Sequence, residues 1–235
     1  VPQNIVINTE NDLRTAFETI GPNLWLRPRS GTGAWGAIGT QKLQKAKEWI
    51  DDHNGWGNFL AAEHLEAETS TFESVWKNGE LIIAQQRKRL YWEFASYSSS
   101  GVTGNTGAAI SMNDPKITEI ALDAILAVDP QPNGAFGVDF TYNKAGIPNP
   151  TEINVGRLMS TNDFYAAAGS NFAYILVKCA FDEKVPAVAC KINPLPEDLV
   201  WLRGMDIEPL LLELTDIKAQ ERNFAQRRNR LNTAR

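Results

Sequence analysis

Two carboxylates and one amide stand on two short apolar segments in the second half of the chain. Asp139 lies within residues 136–140, and Glu152 and Asn154 lie within residues 151–155. Both segments predict strands, and residues two apart in a strand point to the same face. If the strands pair, Asp139 joins the other two side chains. Such an oxygen-only set suits Mg²⁺ that bridges nucleotide phosphates. The alternative is a row of polar side chains that face water.

A glycine-rich segment follows the first apolar strand pattern. Its glycines are Gly31, Gly33, Gly36 and Gly39, and the lack of a Cβ lets backbone N–H groups approach phosphate oxygens. No Gly-Lys-Ser/Thr follows, which excludes a P-loop. The G-x-G-x-x-G spacing is present, but the acid of a dinucleotide-binding unit is not. The segment therefore fits either a loop that covers phosphates or an ordinary surface loop.

Arginines accompany both features. Arg27 ends the strand before the glycines, Arg87 and Arg89 share a face of one predicted strand, and Arg157 follows Asn154 closely. Arginine suits bidentate contacts to phosphate. Taken one at a time, such residues are more often solvated surface charges, and only their coincidence with the glycines and the acidic set favours a phosphate site.

The composition limits the class of protein. The chain has 235 residues, 43% of them hydrophobic, which is enough for a sizeable core, and a net charge of -5, which argues against a nucleic-acid-wrapping protein. Cys179 and Cys190 cannot form a disulfide framework and lack CxxC spacing. No apolar run approaches the roughly 20 residues of a membrane span, and no signal peptide is visible. We expect a soluble, cytoplasmic protein with no nucleic-acid or membrane partner. Because the chain opens on Val1, we also expect a fragment or a processed chain.

The order of elements is mixed. Apolar spacing and caps predict helices over residues 13–20, 41–50, 115–127 and 163–181, and a charged, helical end over 216–235. Strands are predicted over 5–7, 24–26, 59–62, 135–142 and 151–155, with a hairpin of 69–76 and 80–91 around Asn78-Gly79 and a Ser/Gly/Thr loop over 98–107. A β-hairpin block between helices indicates an α+β or mixed α/β fold.

These features occur in the order typical of ATP-grasp enzymes. The chain resembles that family, and most of all its carbamoyl-phosphate-synthase-type branch. The matching parts are a strand and flexible loop, a hinge with a following acid, and a metal set with a basic residue and a closing helix. In chain order they are residues 24–28 and 31–39, then 61–65 and Glu68, then Asp139, Glu152, Asn154, Arg157 and 163–181. The resemblance covers roughly residues 1–185.

The resemblance implies an ATP-grasp fold of two α+β subdomains with the nucleotide between them. Residues 1–62 would form a lid-like subdomain with the glycine-rich loop, residues 63–195 a carboxy-terminal subdomain with the metal site, and residues 196–235 a charged tail. Family members normally carry an amino-terminal domain before this point. We expect that domain to lie upstream in a longer parent or on a partner chain, and a homo-oligomer is also compatible with the sequence.

The resemblance also implies which residues touch ATP. Those expected at the nucleotide are Glu63, His64 and Leu65 for adenine, Glu68 for ribose, Arg27, Gly31, Gly33 and Gly36 for the phosphates, Asp139, Glu152 and Asn154 for Mg²⁺ or Mn²⁺, and Arg87 and Arg157 as catalytic cations. Two features depart from the family pattern. Arg27 replaces the usual lysine, and Glu-Ile-Asn-Val-Gly-Arg is one residue longer than Glu-x-Asn-Pro-Arg.

The implied activity is ADP-forming ligation of a carboxylate to an amine or ammonia through an acylphosphate. Such chemistry needs positioning and charge neutralisation rather than a Ser-His-Asp nucleophile, and neither His53 nor His64 is placed as a base. Two alternatives stay open on sequence grounds. One is a non-catalytic nucleotide-binding or regulatory module, and the other is an unrelated α+β interaction protein.

Overall fold

The computed structural model describes residues 1–31, 34–93, 95–97 and 105–233, with side chains described as far as residue 225. The helices are α1 Glu10–Thr19, α2 Leu43–Asp52, α3 Pro115–Val128, α4 Asn162–Ala167, α5 Phe172–Ala180 and α6 Leu214–Thr233. The strands are β1 Asn4–Ile7, β2 Leu24–Pro28, β3 Ile38–Thr40, β4 Phe59–Glu63, β5 Thr69–Lys77, β6 Glu80–Glu93, β7 Asn105–Met112, β8 Gly134–Tyr142, β9 Pro148–Val155, β10 Leu199–Gly204 and β11 Ile207–Glu213.

The first four strands form a small antiparallel sheet in the order β1-β4-β2-β3. Helices α1 and α2 cover one face of it, because Leu13, Ala16, Ala46 and Ile50 recur at helical spacing and pack on the apolar side of the strands. The residues described in this core lie between positions 5 and 61. Among the described elements, no helix of this core covers the other face, which carries Trp25 and Arg27.

The remaining strands form a seven-stranded antiparallel sheet in the order β11-β10-β7-β6-β5-β8-β9. Alternation gives it two different faces. On one face α3 buries Ile117, Ala121 and Ile125 against aromatic and aliphatic side chains of β5 and β8. On the other, α4 and α5 pack with β10 over Val75 and Ile83, the ends of β5 and β6 nearest their shared turn. The rest of that second face carries polar and charged residues.

Several local predictions are confirmed. Thr9 caps α1 and forms a capping box with Asp12, which satisfies N–H groups that have no partner inside the helix. Asn78 and Gly79 turn the hairpin of β5 and β6, and both have a positive φ, as a tight two-residue turn requires. β9 contains two prolines, and it tolerates them because it is an edge strand.

Three predictions need correction. The helix expected over 163–181 is two helices, because Gly169 adopts a positive φ after α4 and the Asn171 side chain caps α5. The loop expected over 98–107 gives way to strand β7 at Asn105, and residues 98–104 lie outside the described residues. The charged tail expected from residue 196 begins instead with β10 and β11, which join the large sheet through β7 and bury Val200 and Trp201. Only α6 remains of that tail.

Within the described residues, none of the helices is both long enough and apolar enough to span a membrane. Cys179 is buried and Cys190 is exposed, and both are free.

The small sheet ends at Glu63 and the large one begins at Thr69. The functional division between residues 62 and 63 stays a prediction.

Candidate functional site

The two acidic side chains predicted to meet do stand side by side. Asp139 on β8 is the direct register partner of Glu152 on β9, and the next same-face pair is Gly137 with Asn154. In an antiparallel pair such positions bring Cβ atoms to about 5 Å apart. All three predicted metal-site residues therefore share the polar face of the large sheet, at its β9 edge.

The two carboxylates differ in environment. Thr71 Oγ1 donates to Asp139 Oδ1 at 2.7 Å, and Arg89 Nη2 lies 3.4 Å from the same oxygen. Glu152 is exposed, and its carboxylate makes no hydrogen bond or ion pair within the described part of the chain. One carboxylate is thus held in place while its neighbour is free to take a cation.

Asn154 is almost buried, and its Oδ1 accepts a hydrogen bond from Arg157 Nη2. The ion pair of Glu152 with Arg157, which would be the ordinary structural explanation of these charges, does not form. Among the described residues, no cluster of three or more His, Cys, Asp or Glu side chains could hold a metal. A divalent cation here would have two carboxylates from the chain and would have to share the amide oxygen with Arg157. Hard oxygen donors of this kind fit Mg²⁺ completed by phosphate and water oxygens.

Of the two arginines on β6, Arg89 is the one that reaches this set. Its guanidinium donates to Thr106 Oγ1 and Thr69 Oγ1, each at 2.9 Å, besides Asp139, and lies 3.5 Å over the Trp92 ring. Burial, and then the like charge of Arg87, lower the pKa of Arg89 to about 10, so the side chain is still cationic at neutral pH.

Arg87, which the sequence predicts as catalytic, is only 1% exposed and lies deeper on the same face. Its Nη1 is 3.4 Å from Thr106 Oγ1, and its Nε has no hydrogen-bond partner in the described part of the chain. The structure does not bring Arg87 to the surface beside Asp139 and Glu152. The signal for Arg89 was present in the sequence, since alternation puts both arginines on one face, but alternation does not say which is covered.

Sequence reasoning missed Glu73, an acid on a strand whose other residues as far as Trp76 are apolar or hydroxylic. It is fully buried on β5, and its Oε1 accepts from the backbone N–H of Met159 at 2.7 Å and from Asn162 Nδ2 at 3.2 Å. Burial is the main cause that raises the pKa of Glu73 to about 7. Burial also raises the pKa of the neighbouring Tyr165 hydroxyl. A lone buried carboxylate amid core positions is the kind of signal that could have singled it out.

The small sheet approaches this site through Arg27. Its Nη1 lies 3.5 Å from the carbonyl oxygen of Thr151 on β9, one residue before Glu152. Arg27 is exposed at the end of β2, so its guanidinium is available beside the acidic pair. The structure therefore brings together one cation from the small sheet and the oxygen set of the large sheet.

The predicted hinge joins the two sheets. Glu63 ends β4, and the connection that follows is tied to β8 by Glu66 N to Tyr142 O at 2.7 Å. His64 meets Trp25 edge-on, and a Cβ at Gly39 would come within 2.8 Å of the His64 ring, so the close approach there depends on glycine. Leu65 lies within the connection and is partly exposed.

The carboxylate predicted to hold ribose is occupied in this arrangement. Lys88 Nζ donates to Glu68 Oε1 at 2.6 Å, and both side chains are substantially exposed. Solvated ion pairs of this kind contribute little to stability. A ribose contact by Glu68 would therefore replace a weak interaction.

The glycine-rich loop is tied to the small subdomain near Gly36. Gly36 O accepts from Trp49 Nε1 at 2.8 Å, which ties the loop to α2. Gly31 and Gly36 both have positive φ, and Trp35 is 84% exposed. Gly33 lies outside the described residues.

Beside the hinge, an open groove of about 490 Å³ runs along the end of β3 and the start of α2. Its lining is polar and partly basic, and consists of Asn23, Gly39, Thr40, Gln41, Lys42, Lys45 and His64. Only His64 of the predicted adenine-contacting residues lines this groove. The lysines were not singled out in the sequence.

Comparison with known proteins decides the fold. No protein-family model and no curated protein matches the sequence. Solved structures do. The N5-carboxyaminoimidazole synthetase from Staphylococcus aureus complexed with ADP matches 86% of this chain and 51% of its own with a TM-score of 0.62 at 15% identity. A biotin carboxylase from Campylobacter jejuni matches 86% of this chain and 47% of its own with a TM-score of 0.65 at 13% identity.

The chain has an ATP-grasp fold. The predicted fold class is thereby confirmed. A third ATP-grasp match is the biotin carboxylase domain of the 2-oxoglutarate carboxylase from Hydrogenobacter thermophilus, in complex with MgADP, ADP and bicarbonate, with a TM-score of 0.64 at 14% identity over 86% of this chain and 47% of that one. The chain spans about half the length of the structures it matches. Identities this low show the fold and not the activity.

Proposed function

We propose that this chain is the nucleotide-binding part of an ATP-grasp ligase that forms ADP and an acylphosphate from ATP and a carboxylate. The observation that carries the proposal is the in-register pair of Asp139 and Glu152 beside Arg89, at the sheet edge that Arg27 approaches. On an ATP-grasp fold this edge lies where the two sheets meet. Solved structures of the same fold that hold ADP or MgADP support the same ligand here.

In this proposal Asp139 and Glu152, with Asn154, hold Mg²⁺, and Mn²⁺ would suit the same oxygen donors. The cation, when bound, offsets negative charge on the ATP phosphates. Glu152 has a free carboxylate to offer, and Thr71 keeps the Asp139 carboxylate oriented. Carboxylates this close repel each other at a partly screened site, and a cation relieves that repulsion.

Arg27, Arg89 and Arg157 supply the fixed positive charge that phosphoryl transfer needs. A carboxylate oxygen of the substrate attacks the γ-phosphorus, and the bond to the ADP oxygen breaks. The nitrogen of an amine or ammonia then attacks the acyl carbon and loses a proton, and inorganic phosphate leaves. Because Arg87 is fully buried, it would act on the phosphates through its positive charge rather than by direct contact.

Residues around the hinge would hold the nucleoside. Glu63 and Leu65 offer backbone groups to adenine, and Glu68 would exchange Lys88 for ribose hydroxyls. The loop that contains Gly31, Gly33 and Gly36 would cover the phosphates and exclude water. Parts of the enzyme outside this chain, whether upstream in the same protein or on a partner, would complete the binding site for the carboxylate.

The test is a titration of Mg²⁺ at fixed ATP, followed by calorimetry, with wild type, Asp139→Asn and Glu152→Gln. Each substitution removes one charge at nearly constant shape, so we expect each to weaken Mg²⁺-dependent ATP binding by about tenfold or more while the fold survives. Asp123→Asn is the matched control, because Asp123 is an exposed carboxylate on α3, on the opposite face of the sheet.

Equal MgATP affinity in all four proteins would overturn the metal assignment. Turnover separates a ligase from a module that only binds nucleotide. ADP release that requires an added carboxylate supports the ligase, whereas MgATP binding without such turnover, in the complete protein, favours the binding module.

A further inference from the structure

We infer that Glu73 is a positioning residue that sets the place of Arg157, although the two side chains do not meet. The inference rests on the proposed function, in which Arg157 supplies positive charge to the phosphates. It adds a residue that lies outside the ligand site and acts through the polypeptide segment between β9 and α4, residues 156–161.

Backbone hydrogen bonds hold this segment at two positions, Gly156 and Met159. Gly156 N donates to Ala135 O at 2.8 Å, which continues the pairing of β9 with β8 by one step. Three residues later, Met159 N donates to Glu73 Oε1 at 2.7 Å. Arg157 lies between these two fixed points, so its backbone has little freedom to shift along the strand direction.

The second fixed point is reinforced by two further contacts. Asn162, the first residue of α4, donates through Nδ2 to the same Glu73 oxygen at 3.2 Å. The Met159 side chain lies over Gly137, where a Cβ would stand only 2.4 Å from Met159 Cε. Gly137 is the register neighbour of Glu73 across β5 and β8. The absence of a side chain at Gly137 therefore leaves space on β8 for the Met159 side chain, next to the carboxylate that accepts from the Met159 N–H.

Arg87 faces Glu73 and favours its ionised form, but no direct contact binds the carboxylate to that side chain. Among the described residues no ion pair joins it to Arg87, and its Oε2 has no hydrogen-bond partner. Within the described part of the chain, Glu73 accepts one hydrogen bond from Met159, in the segment that carries Arg157, and one from Asn162, the residue that follows that segment. An acid costs free energy when it is buried, and its hydrogen bonds to a loop are what offset that cost.

The Arg157 guanidinium donates to Asn154 Oδ1, and it can do so only while the Arg157 backbone stays close to β9. Release of Met159 would let residues 157–161 move away from the sheet and would take the guanidinium from the neighbourhood of Glu152. The expected result is a loss of MgATP affinity without any change to a ligand contact.

The experiment compares Glu73→Met with Glu73→Gln in MgATP binding by calorimetry. Methionine removes the acceptor at similar volume, so we expect about tenfold weaker binding and fast exchange of the Met159 amide hydrogen. Glutamine keeps an acceptor oxygen for Met159 N, so we expect affinity within about twofold of wild type. A merely structural role would lower thermal stability in both variants and leave the affinity of the folded protein unchanged.

Ser74→Ala is the matched control. Ser74 is the next residue on β5, is equally buried and accepts and donates hydrogen bonds, but on the α3 face. We expect it to lower stability and to leave MgATP affinity as it is. If Glu73→Met does not fold, Asn162→Ala is measured instead. We expect this variant to bind MgATP more weakly than the wild type, and wild-type affinity would count against the inference.

A double-mutant cycle that combines Glu73→Met with Arg157→Gln tests whether the two residues act together on MgATP affinity. If Glu73 acts through Arg157, the Glu73→Met change should cost nothing further once Arg157 is gone. Full additivity of the two losses would overturn the route through Arg157. A wild-type chain that fails to bind MgATP would overturn both this inference and the proposed function, whereas MgATP binding that Glu73→Met leaves unchanged would overturn this inference alone.

Discussion

Glu73 should make the stability of this protein fall as the pH rises from acidic to neutral values. Its pKa in the folded chain is raised by burial to about 7, against 4.5 for an exposed glutamate. Between these values the folded protein keeps a proton that the unfolded chain has released. A group of this kind stabilises the folded state at low pH relative to high pH, and the difference accumulates between about pH 4.5 and pH 7.

The magnitude follows from the gap between the two pKa values. Each pH unit of that gap corresponds to about 1.4 kcal/mol, so the full titration changes the free energy of unfolding by about 3 kcal/mol. The charged groups that face Glu73 are Arg87, which favours its ionised form, and the more distant Asp139, which opposes it, with the neutral Tyr165 hydroxyl packed nearby. Their combined effect is already contained in the raised value.

The assay is urea unfolding followed by tryptophan fluorescence, for wild type and Glu73→Gln, at pH values from about 5 to about 8. Glutamine does not titrate. The free energy of unfolding of the variant should therefore rise relative to that of the wild type by about 2–3 kcal/mol between pH 5 and pH 8. Glu80→Gln is the control, because Lys191 holds the pKa of Glu80 below its usual range, so this carboxylate titrates below the pH range of the assay and its removal should leave the pH dependence unchanged. Parallel wild-type and Glu73→Gln curves would refute the reasoning.

Three further predictions concern the remaining parts of the site. Arg89→Lys should lower the free energy of unfolding by about 1–3 kcal/mol in urea titrations, because one ammonium cannot keep all the hydrogen bonds of the guanidinium; unchanged stability would contradict the network. Glu68→Ala should weaken ATP more than inorganic triphosphate in calorimetry, and equal losses would count against a ribose contact. The exposed Trp35 should report loop closure, so a fluorescence change on MgATP addition should disappear in Trp35→Phe, and a change that persists in full would locate the signal elsewhere.

Much of the site could be predicted because strand alternation is a local rule. Glu152 and Asn154 share a face through period-two spacing, and Asp139 joins them because β8 pairs with β9, in a register that shifts between Asp139 and Phe140. The same rule could not choose between Arg87 and Arg89. That choice depends on α4 and α5, which cover the inner end of β6 and leave the outer end open.

The missed elements share one cause, which is dependence on distant partners. β10 is a short apolar run that follows two prolines, and it becomes a strand by pairing with β7, about 90 residues earlier. Glu73 stands out in the sequence as an acid within a predicted core strand, but its role could not be predicted because its partners, Met159 and Asn162, lie 86 and 89 residues further on. Gly169 indicated a break after α4, but the apolar spacing on both sides of it favoured one continuous helix.

The small sheet has a consequence for how the chain folds during synthesis. Its core closes with Ala61, so every residue it needs has been made when β4 leaves the ribosome. The large sheet is different. The hairpin of β5 and β6 can form early, but β5 must wait for β8, whose partner positions lie about 60–70 residues later, and β7 must wait longer still for β10. Contacts this distant in sequence form slowly. During translation the outer edges of β5 and β7 therefore remain open, and these edges are where a nascent chain would need the protection of a chaperone.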